Sequence, residues 1–92
     1  MLRLVGLEWD DDNEEHIARH GIVRKEVEDV CFGRHWAIRA RGKNRMSVFG
    51  QTAGGRYVLA IVERVAHGIY RPITARQMNS KERRRFQIWR GS

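Results

Sequence analysis

The sequence contains few of the features on which secreted, membrane-spanning and nucleotide-binding proteins depend. Cys31 is the only cysteine, which excludes an internal disulfide and indicates a reducing compartment. No apolar run reaches membrane-spanning length, and residues 1–9 lack the apolar core of a signal peptide. P-loop, GxGxxG and GxSxG motifs are absent too. We therefore expect a cytoplasmic protein that does not contact a membrane and uses no cofactor.

Acidic residues are scarce in most of the chain. Residues 34–92 contain fourteen Lys and Arg but only two acids, Glu63 and Glu82, whereas residues 1–33 contain nine acids and four cations. The two parts carry charges of +12 and −5. So strong a positive field favours a polyanionic partner, because each neutralised phosphate releases condensed counterions. A lone carboxylate among so many cations is also a candidate for proton chemistry or for a fixed ion pair.

Length and periodicity predict one small α+β domain over residues 1–92. A chain of 92 residues is too short for two cores, and its 41% hydrophobic and 32% charged content is typical of globular proteins. The apolar run over 57–62 predicts a central strand covered on both faces, and Pro72 predicts an edge or a bulge. The expected order is a strand over 2–9, a helix from residues 10–12 to about 20, a helix over 24–32, strands over 36–41, 46–52, 57–65 and 69–74, and a helix over 79–90.

Glu82 is the residue of the last helix for which chemistry is easiest to imagine. It shares one helix face with three apolar residues, Met78, Phe86 and Trp89. Two structural interpretations are a capping box with Asn79 and an ion pair with Arg76 or Arg71. The functional interpretation is a proton acceptor near a phosphate-binding surface. The adjacent arginines 83–85 are either a solvated face or a contact surface for nucleic acid.

Histidines and aromatic residues leave further alternatives open. His16 and His20 have the spacing of a two-histidine metal face, but no HExxH or CxxC accompanies them, so we expect no metal site. His20 precedes Gly21 and could cap the helix, pack at the edge of the core or act as an acid–base group. Four aromatic residues could stack on bases or fill the core: Trp9, Trp36, Tyr57 and Trp89.

Three segments together resemble the BrnT toxins, the ribonuclease half of BrnT/BrnA type II toxin–antitoxin pairs. Residues 7–10 (LEWD) and 19–22 (RHGI) are similar to the family's FEWD…KHGV pattern. Residues 50–52 (GQT) and 55–59 (GRYVL) form the second segment. The third and most specific segment combines RPITAR with ERRRF, similar to RIISAR…ERRxY. The chain departs from the family pattern at His16, Asn44, Pro72 and Phe86.

The resemblance implies a RelE-like fold, an antiparallel β-meander of four to five strands packed by two N-terminal helices and one C-terminal helix. It implies a toxin that cleaves RNA without a metal and thereby inhibits translation and growth. The family's basic, histidine and carboxylate positions correspond to His20, Arg64, Arg71, Arg76, Glu82 and Arg83. All but Arg83 are the expected catalytic residues. The expected RNA-binding residues are Arg56, Lys81, Arg83, Arg84 and Arg85.

A metal-free ribonuclease needs a base for the 2′-hydroxyl, a donor for the departing 5′-oxygen, and cations around the phosphoryl centre. The sequence-based hypothesis gives the proton transfers to Glu82 or His20. It gives charge stabilisation to three arginines, Arg64, Arg71 and Arg76. The products would be a 2′,3′-cyclic phosphate and a 5′-hydroxyl.

The resemblance also implies a partner, a BrnA antitoxin with a ribbon-helix-helix DNA-binding part. Operator DNA would be bound only through the toxin–antitoxin complex. Two other functions remain compatible with the charge pattern. One is a module that binds RNA or DNA without cleaving it, and the other is an inactive homologue whose arginines dock an acidic protein.

Overall fold

The protein folds into a five-stranded sheet with helices on both faces. The structure is a computed structural model that describes residues 2–91. The sheet order is β1-β5-β4-β3-β2; β2 to β5 form an antiparallel meander, and β1 pairs in parallel with β5. The elements are β1 (Gly6–Leu7), α1 (Asp11–Ala18), α2 (Arg24–Phe32), β2 (His35–Arg39), β3 (Arg45–Gln51), β4 (Tyr57–Ala66), β5 (Ile69–Gln77) and α3 (Ser80–Arg90). The predicted α+β class and element order are confirmed.

The first strand is much shorter than predicted. Only Gly6 and Leu7 pair with β5, and the last ladder bond runs from the amide of Glu8 to the carbonyl of Tyr70, over 2.8 Å. In a parallel ladder the next hydrogen bond would run to the carbonyl of Glu8 from the amide of residue 72, which is proline and has no N–H. The carbonyl of Glu8 accepts instead from the Asn13 side chain at 3.0 Å. The prediction of a strand over 2–9 was wrong because its partner strand cannot continue the ladder.

The same proline marks the predicted bulge. Ile61 pairs with Thr74, but the next residue of β4, Val62, pairs with Pro72. Ile73 is therefore an extra residue in β5, which confirms the prediction of an irregularity at Pro72. The bulge shifts by one position the alternation of side chains along β5.

The helices begin and end where their local sequence allows it. Asp10 caps α1, and its side chain and that of Asn13 each accept the other residue's amide, at 2.9 and 3.0 Å. The chain leaves α1 through Gly21, whose φ of 76° is left-handed and favours glycine. Arg56 then donates to the carbonyl of Gly21 at 3.1 Å and to Glu26 at 3.0 Å. This contact attaches the helix pair to the β3–β4 turn.

The sheet separates two apolar clusters, because side chains of β4 alternate between its faces. Val58, Ala60 and Val62 point to the face covered by α1 and α2, and Leu59 points to the face covered by α3. The predicted two-sided burial of this central strand is confirmed. Cys31 lies in the α1/α2 cluster, where burial raises the pKa of its thiol to about 12. Within residues 2–91, no helix is long and apolar enough to cross a membrane.

His35 fastens the start of the chain to the sheet. Its side chain is only 1% exposed; Nε2 accepts the amide of Leu2 at 2.9 Å, and Nδ1 lies 3.0 Å from the carbonyl of Gly33. The neutral ring with a proton on Nδ1 satisfies both partners. Burial lowers the pKa of His35. A proton on Nε2 would leave the Leu2 amide without its acceptor.

Acidification is therefore expected to destabilise the fold through His35. Since its pKa is lowered by folding, its contribution is complete above the unfolded value of about 6.5 and is lost as the pH falls towards the folded value. The free energy of unfolding in urea should fall between pH 7.5 and pH 5 in the wild type. His35→Gln should remove this decline, and His67→Gln, a change at an exposed turn, should keep it. An equal decline in both variants would assign the effect to other groups.

Candidate active site beneath the C-terminal helix

Helix α3 lies across part of one sheet face and is fixed there by its first and inner residues. Phe86, 1% exposed, packs with Phe49, Leu59 and Met78. At the helix start, the side chain of Asn79 accepts the Glu82 amide at 2.8 Å, and that of Glu82 accepts the Asn79 amide at 2.9 Å. The predicted capping box is confirmed.

Arg76 and Glu82 form a two-point ion pair beneath this helix start. Arg76 Nη1 lies 2.7 Å from Glu82 Oε1, and Nη2 lies 2.9 Å from Oε2. These hydrogen bonds, followed by that from the Asn79 amide, lower the pKa of Glu82, and the pairing raises that of Arg76. Both structural interpretations of Glu82 therefore hold at once. A carboxylate stabilised in this way is a weak proton acceptor, and its evident effect is to orient Arg76.

Tyr57 lies next to this pair on the same face of the sheet. Arg76 pairs with Leu59, which is two residues from Tyr57 along β4. Arg76 and Tyr57 are therefore diagonal neighbours in the sheet, a relation in which Cα atoms lie about 7–8 Å apart. The Tyr57 hydroxyl accepts hydrogen bonds from Gln87 at 3.2 Å and Arg90 at 3.4 Å. The guanidinium of Arg83 lies over the ring, 4.6 Å from its centre. We call Tyr57, Arg83, Gln87 and Arg90 the phenol cluster.

Sequence reasoning missed most of the phenol cluster. It considered Tyr57 only as a stacking or core residue and did not single out Gln87 or Arg90. A signal was present, because positions 83, 87 and 90 follow helical spacing and lie on one flank of α3. Arg90 is further held by a hydrogen bond to the side chain of Gln51.

Beside α3, part of the same sheet face forms an open trough of about 600 Å³. Its lining combines apolar, hydroxyl and cationic side chains and includes Arg39, Arg41, Arg45, Ser47, Ile61 and Thr74. Arg45 forms an ion pair with Glu63 at 3.2 Å. Among residues 2–91, neither Arg39 nor Arg41 has an ion-pair partner. The trough therefore offers free cations above an apolar floor.

The structure does not bring the predicted catalytic residues into one group. Arg76 of β5 pairs with Leu59 of β4, and Arg64 lies five residues further along β4, roughly 16 Å away at about 3.3 Å per residue. By the alternation of side chains along β4, Arg64 also points to the opposite face, the one covered by α1 and α2. Arg71 reaches the α3 face through the bulge, but it forms ion pairs with Asp10 and, at 3.9 Å, Glu8. Arg76 and Glu82 are the two members that lie together.

His20 and Arg56 are also placed away from that pair. His20 is exposed in the turn after α1, on the other side of the sheet, and its ring contacts His16 at 5.3 Å. Arg56 is engaged with Glu26. In the part of the chain that the structure describes, no group of three His, Cys, Asp or Glu is arranged to hold a metal ion.

The remaining predicted RNA-binding residues all lie on α3. Lys81 and Arg84 are exposed, and neither has an ion-pair partner within residues 2–91. Arg83 covers Tyr57, and Arg85 lies over Trp36 at 5.7 Å from the ring centre. The helix thus presents cations on both flanks and on its outer side.

A structure comparison supports the fold. The chain is similar to the 1.1 Å crystal structure of the ribonuclease toxin BrnT from Brucella abortus, with a TM-score of 0.65 and 18% sequence identity. The match covers 82% of this chain and 97% of the Brucella chain. No curated protein matches the sequence.

A sequence comparison supplies the family. The family described as "Ribonuclease toxin, BrnT, of type II toxin-antitoxin system" matches residues 9–82, which begin after β1 and include β2 to β5 and the start of α3. The match therefore spans the antiparallel meander, both N-terminal helices and the Arg76–Glu82 pair. The chain belongs to the BrnT family of ribonuclease toxins of type II toxin–antitoxin systems.

Proposed function

We propose that this protein is a metal-independent endoribonuclease that acts in the cytoplasm as the toxin of its pair, cleaving RNA and so inhibiting translation and growth. The observation that carries the proposal is the Arg76–Glu82 pair. It holds a half-exposed guanidinium, 48% accessible, on a face whose other cations include several without acid partners. Such a guanidinium is suited to a phosphate, because its planar donors match two phosphate oxygens.

In this proposal Arg76 stabilises the charge that develops on the phosphoryl oxygens. Glu82 fixes the guanidinium plane and takes no part in proton transfer, since three donors already occupy its oxygens at 2.7–2.9 Å. Arg83 follows Glu82 in the helix and supplies a second cation on the Tyr57 side. Preorganised charges of this kind stabilise a transition state without the cost of reorienting solvent. The products are a 2′,3′-cyclic phosphate and a 5′-hydroxyl.

RNA is proposed to bind along α3 and in the trough beside it. Lys81, Arg84 and the trough cations Arg39 and Arg41 are free to contact phosphates, and the apolar floor of the trough can receive bases. A single strand fits this arrangement better than a duplex, because bases must be unstacked to reach the floor.

The type II family implies an antitoxin, and we propose a BrnA-type ribbon-helix-helix protein. An antitoxin that neutralises the toxin directly would cover the α3 face and exclude RNA from it. Operator DNA would then be contacted by the antitoxin part of the complex, because the cations of the toxin would already be occupied.

Substitution of the ion pair should separate its two roles. Arg76→Ala is expected to lower kcat for RNA cleavage roughly 10²-fold, as does loss of one donor to a developing oxyanion. Glu82→Gln keeps a capping side chain but presents an amide to Arg76, so an intermediate loss of roughly tenfold is expected. Rates would be measured on a defined oligonucleotide, with thermal unfolding of each variant as the check on folding.

The matched control is Arg3→Ala, which removes one exposed cation before β1, away from α3. It should leave kcat unchanged. Cleavage at the wild-type rate by both Arg76→Ala and Glu82→Gln would exclude this site. Loss of cleavage on addition of EDTA, restored by a divalent ion, would contradict metal independence.

Salt dependence of binding gives a second test. For single strands, log K falls by about 0.7 per log unit of salt for each phosphate contact. Lys81→Ala with Arg84→Ala should therefore reduce this slope by about 1.4 if both residues contact phosphates. Recovery of the oligonucleotide intact after incubation with the wild type would favour the non-catalytic binding module instead.

A further inference from the structure

We propose that the hydroxyl of Tyr57 is the group that accepts the proton of the ribose 2′-hydroxyl. The inference rests on the proposed ribonuclease function and assigns a step that the Arg76–Glu82 pair leaves unfilled. Glu82 has its oxygens occupied, and His20 lies on the other side of the sheet. Tyr57 is instead on the same face as Arg76 and diagonal to it.

The hydrogen bonds of the phenol cluster leave room for a substrate hydroxyl. A phenolate oxygen can accept three hydrogen bonds, and Gln87 and Arg90 provide two of them, at 3.2 and 3.4 Å. Among residues 2–91 no third group donates to this oxygen, and Tyr57 is only partly buried. The ring itself is held in place by Phe86, with ring centres 6.1 Å apart.

The charges around Tyr57 favour its ionised form. From α3, Arg83 and Arg90 lie 4.6 and 5.8 Å from the ring centre, and within residues 2–91 neither forms an ion pair with a carboxylate. The acid of α3, Glu82, is paired with Arg76 of β5. The contact from β3 is neutral, because Gln51 bonds Arg90. The hydrogen bond from Gln87, followed by that from Arg90, lowers the pKa of Tyr57.

Cleavage by this route needs only the Tyr57 oxygen and water to accept and donate protons. The ionised Tyr57 oxygen takes the 2′-hydroxyl proton while the 2′-oxygen forms a bond to phosphorus. The bond from phosphorus to the 5′-oxygen then breaks, and its electron pair leaves with that oxygen, which takes a proton from water. Tyr57 returns its proton to the solvent, which restores the starting state.

Tyr57→Phe tests the step by removing one oxygen while keeping the ring on Phe86. We expect kcat to fall roughly 10²–10⁴-fold, the usual contribution of a placed proton acceptor, with little change in KM. The wild-type rate should rise with pH until the phenol is ionised, and the variant should lose that rise. Tyr70→Phe is the matched control, because Tyr70 is the other tyrosine and lies in the α1/α2 cluster.

The control variant also isolates the phenol for direct titration. In Tyr70→Phe, Tyr57 is the only tyrosine, so the ultraviolet absorbance of ionised tyrosine reports its titration alone. The midpoint should lie below the ordinary value of about 10. Gln87→Leu removes the hydrogen bond that lowers it most, so the titration and the rise in rate should both move to higher pH.

Two results would overturn the inference in different ways. Cleavage by the wild type together with an unchanged kcat and pH profile in Tyr57→Phe would exclude Tyr57 and leave the proposed function intact. Absence of any RNA cleavage by the wild type would remove the proposed function and this inference with it.

Discussion

The ion pair between Arg76 and Glu82 joins the last strand to the start of the last helix, and the arrangement of the α3 face depends on it. Glu82 caps the helix and holds Arg76, which fixes where α3 crosses the sheet. That crossing in turn sets Arg83, Gln87 and Arg90 around Tyr57. One carboxylate therefore determines both a fold contact and the position of the cations around Tyr57.

The distribution of acids explains which cations are left without an acid partner. Acids of the N-terminal part hold cations from the rest of the chain at the margins of the sheet: Asp10 pairs with Arg71, and Glu26 with Arg56. Glu63 and Glu82 are each paired with an arginine. Within the described residues, both acids that follow residue 33 are therefore paired, and neither is left free to neutralise the cations of α3. The charge division visible in the sequence becomes a division between cations that stabilise the fold and cations that remain available.

Local features were predictable from sequence, and contacts between distant segments were not. The capping box of α3 and the end of α1 at Gly21 follow from spacings of a few residues. Arg71 and Arg76 are five apart, so simple alternation places them on opposite faces of a strand; the extra residue Ile73 brings them to the same face. Even so, Arg71 bonds Asp10, 61 residues earlier in the chain. No local sequence pattern reveals the effect of the bulge or the partner of Arg71. The sequence therefore could not show whether the predicted arginines lie together.

In the proposed function, the cations of α3 also link the stability of the protein to its partner. Lys81 lies three residues before Arg84 and four before Arg85 in α3, and like charges at these helical spacings cost stability. The contact of Arg85 with the ring of Trp36 offsets part of this repulsion. A polyanion or an acidic antitoxin surface removes the rest, and any ligand that binds only the folded state adds stability in proportion to the logarithm of its concentration. The charge by which the α3 face is proposed to bind RNA is therefore the same charge that would favour its neutralisation by an acidic antitoxin surface.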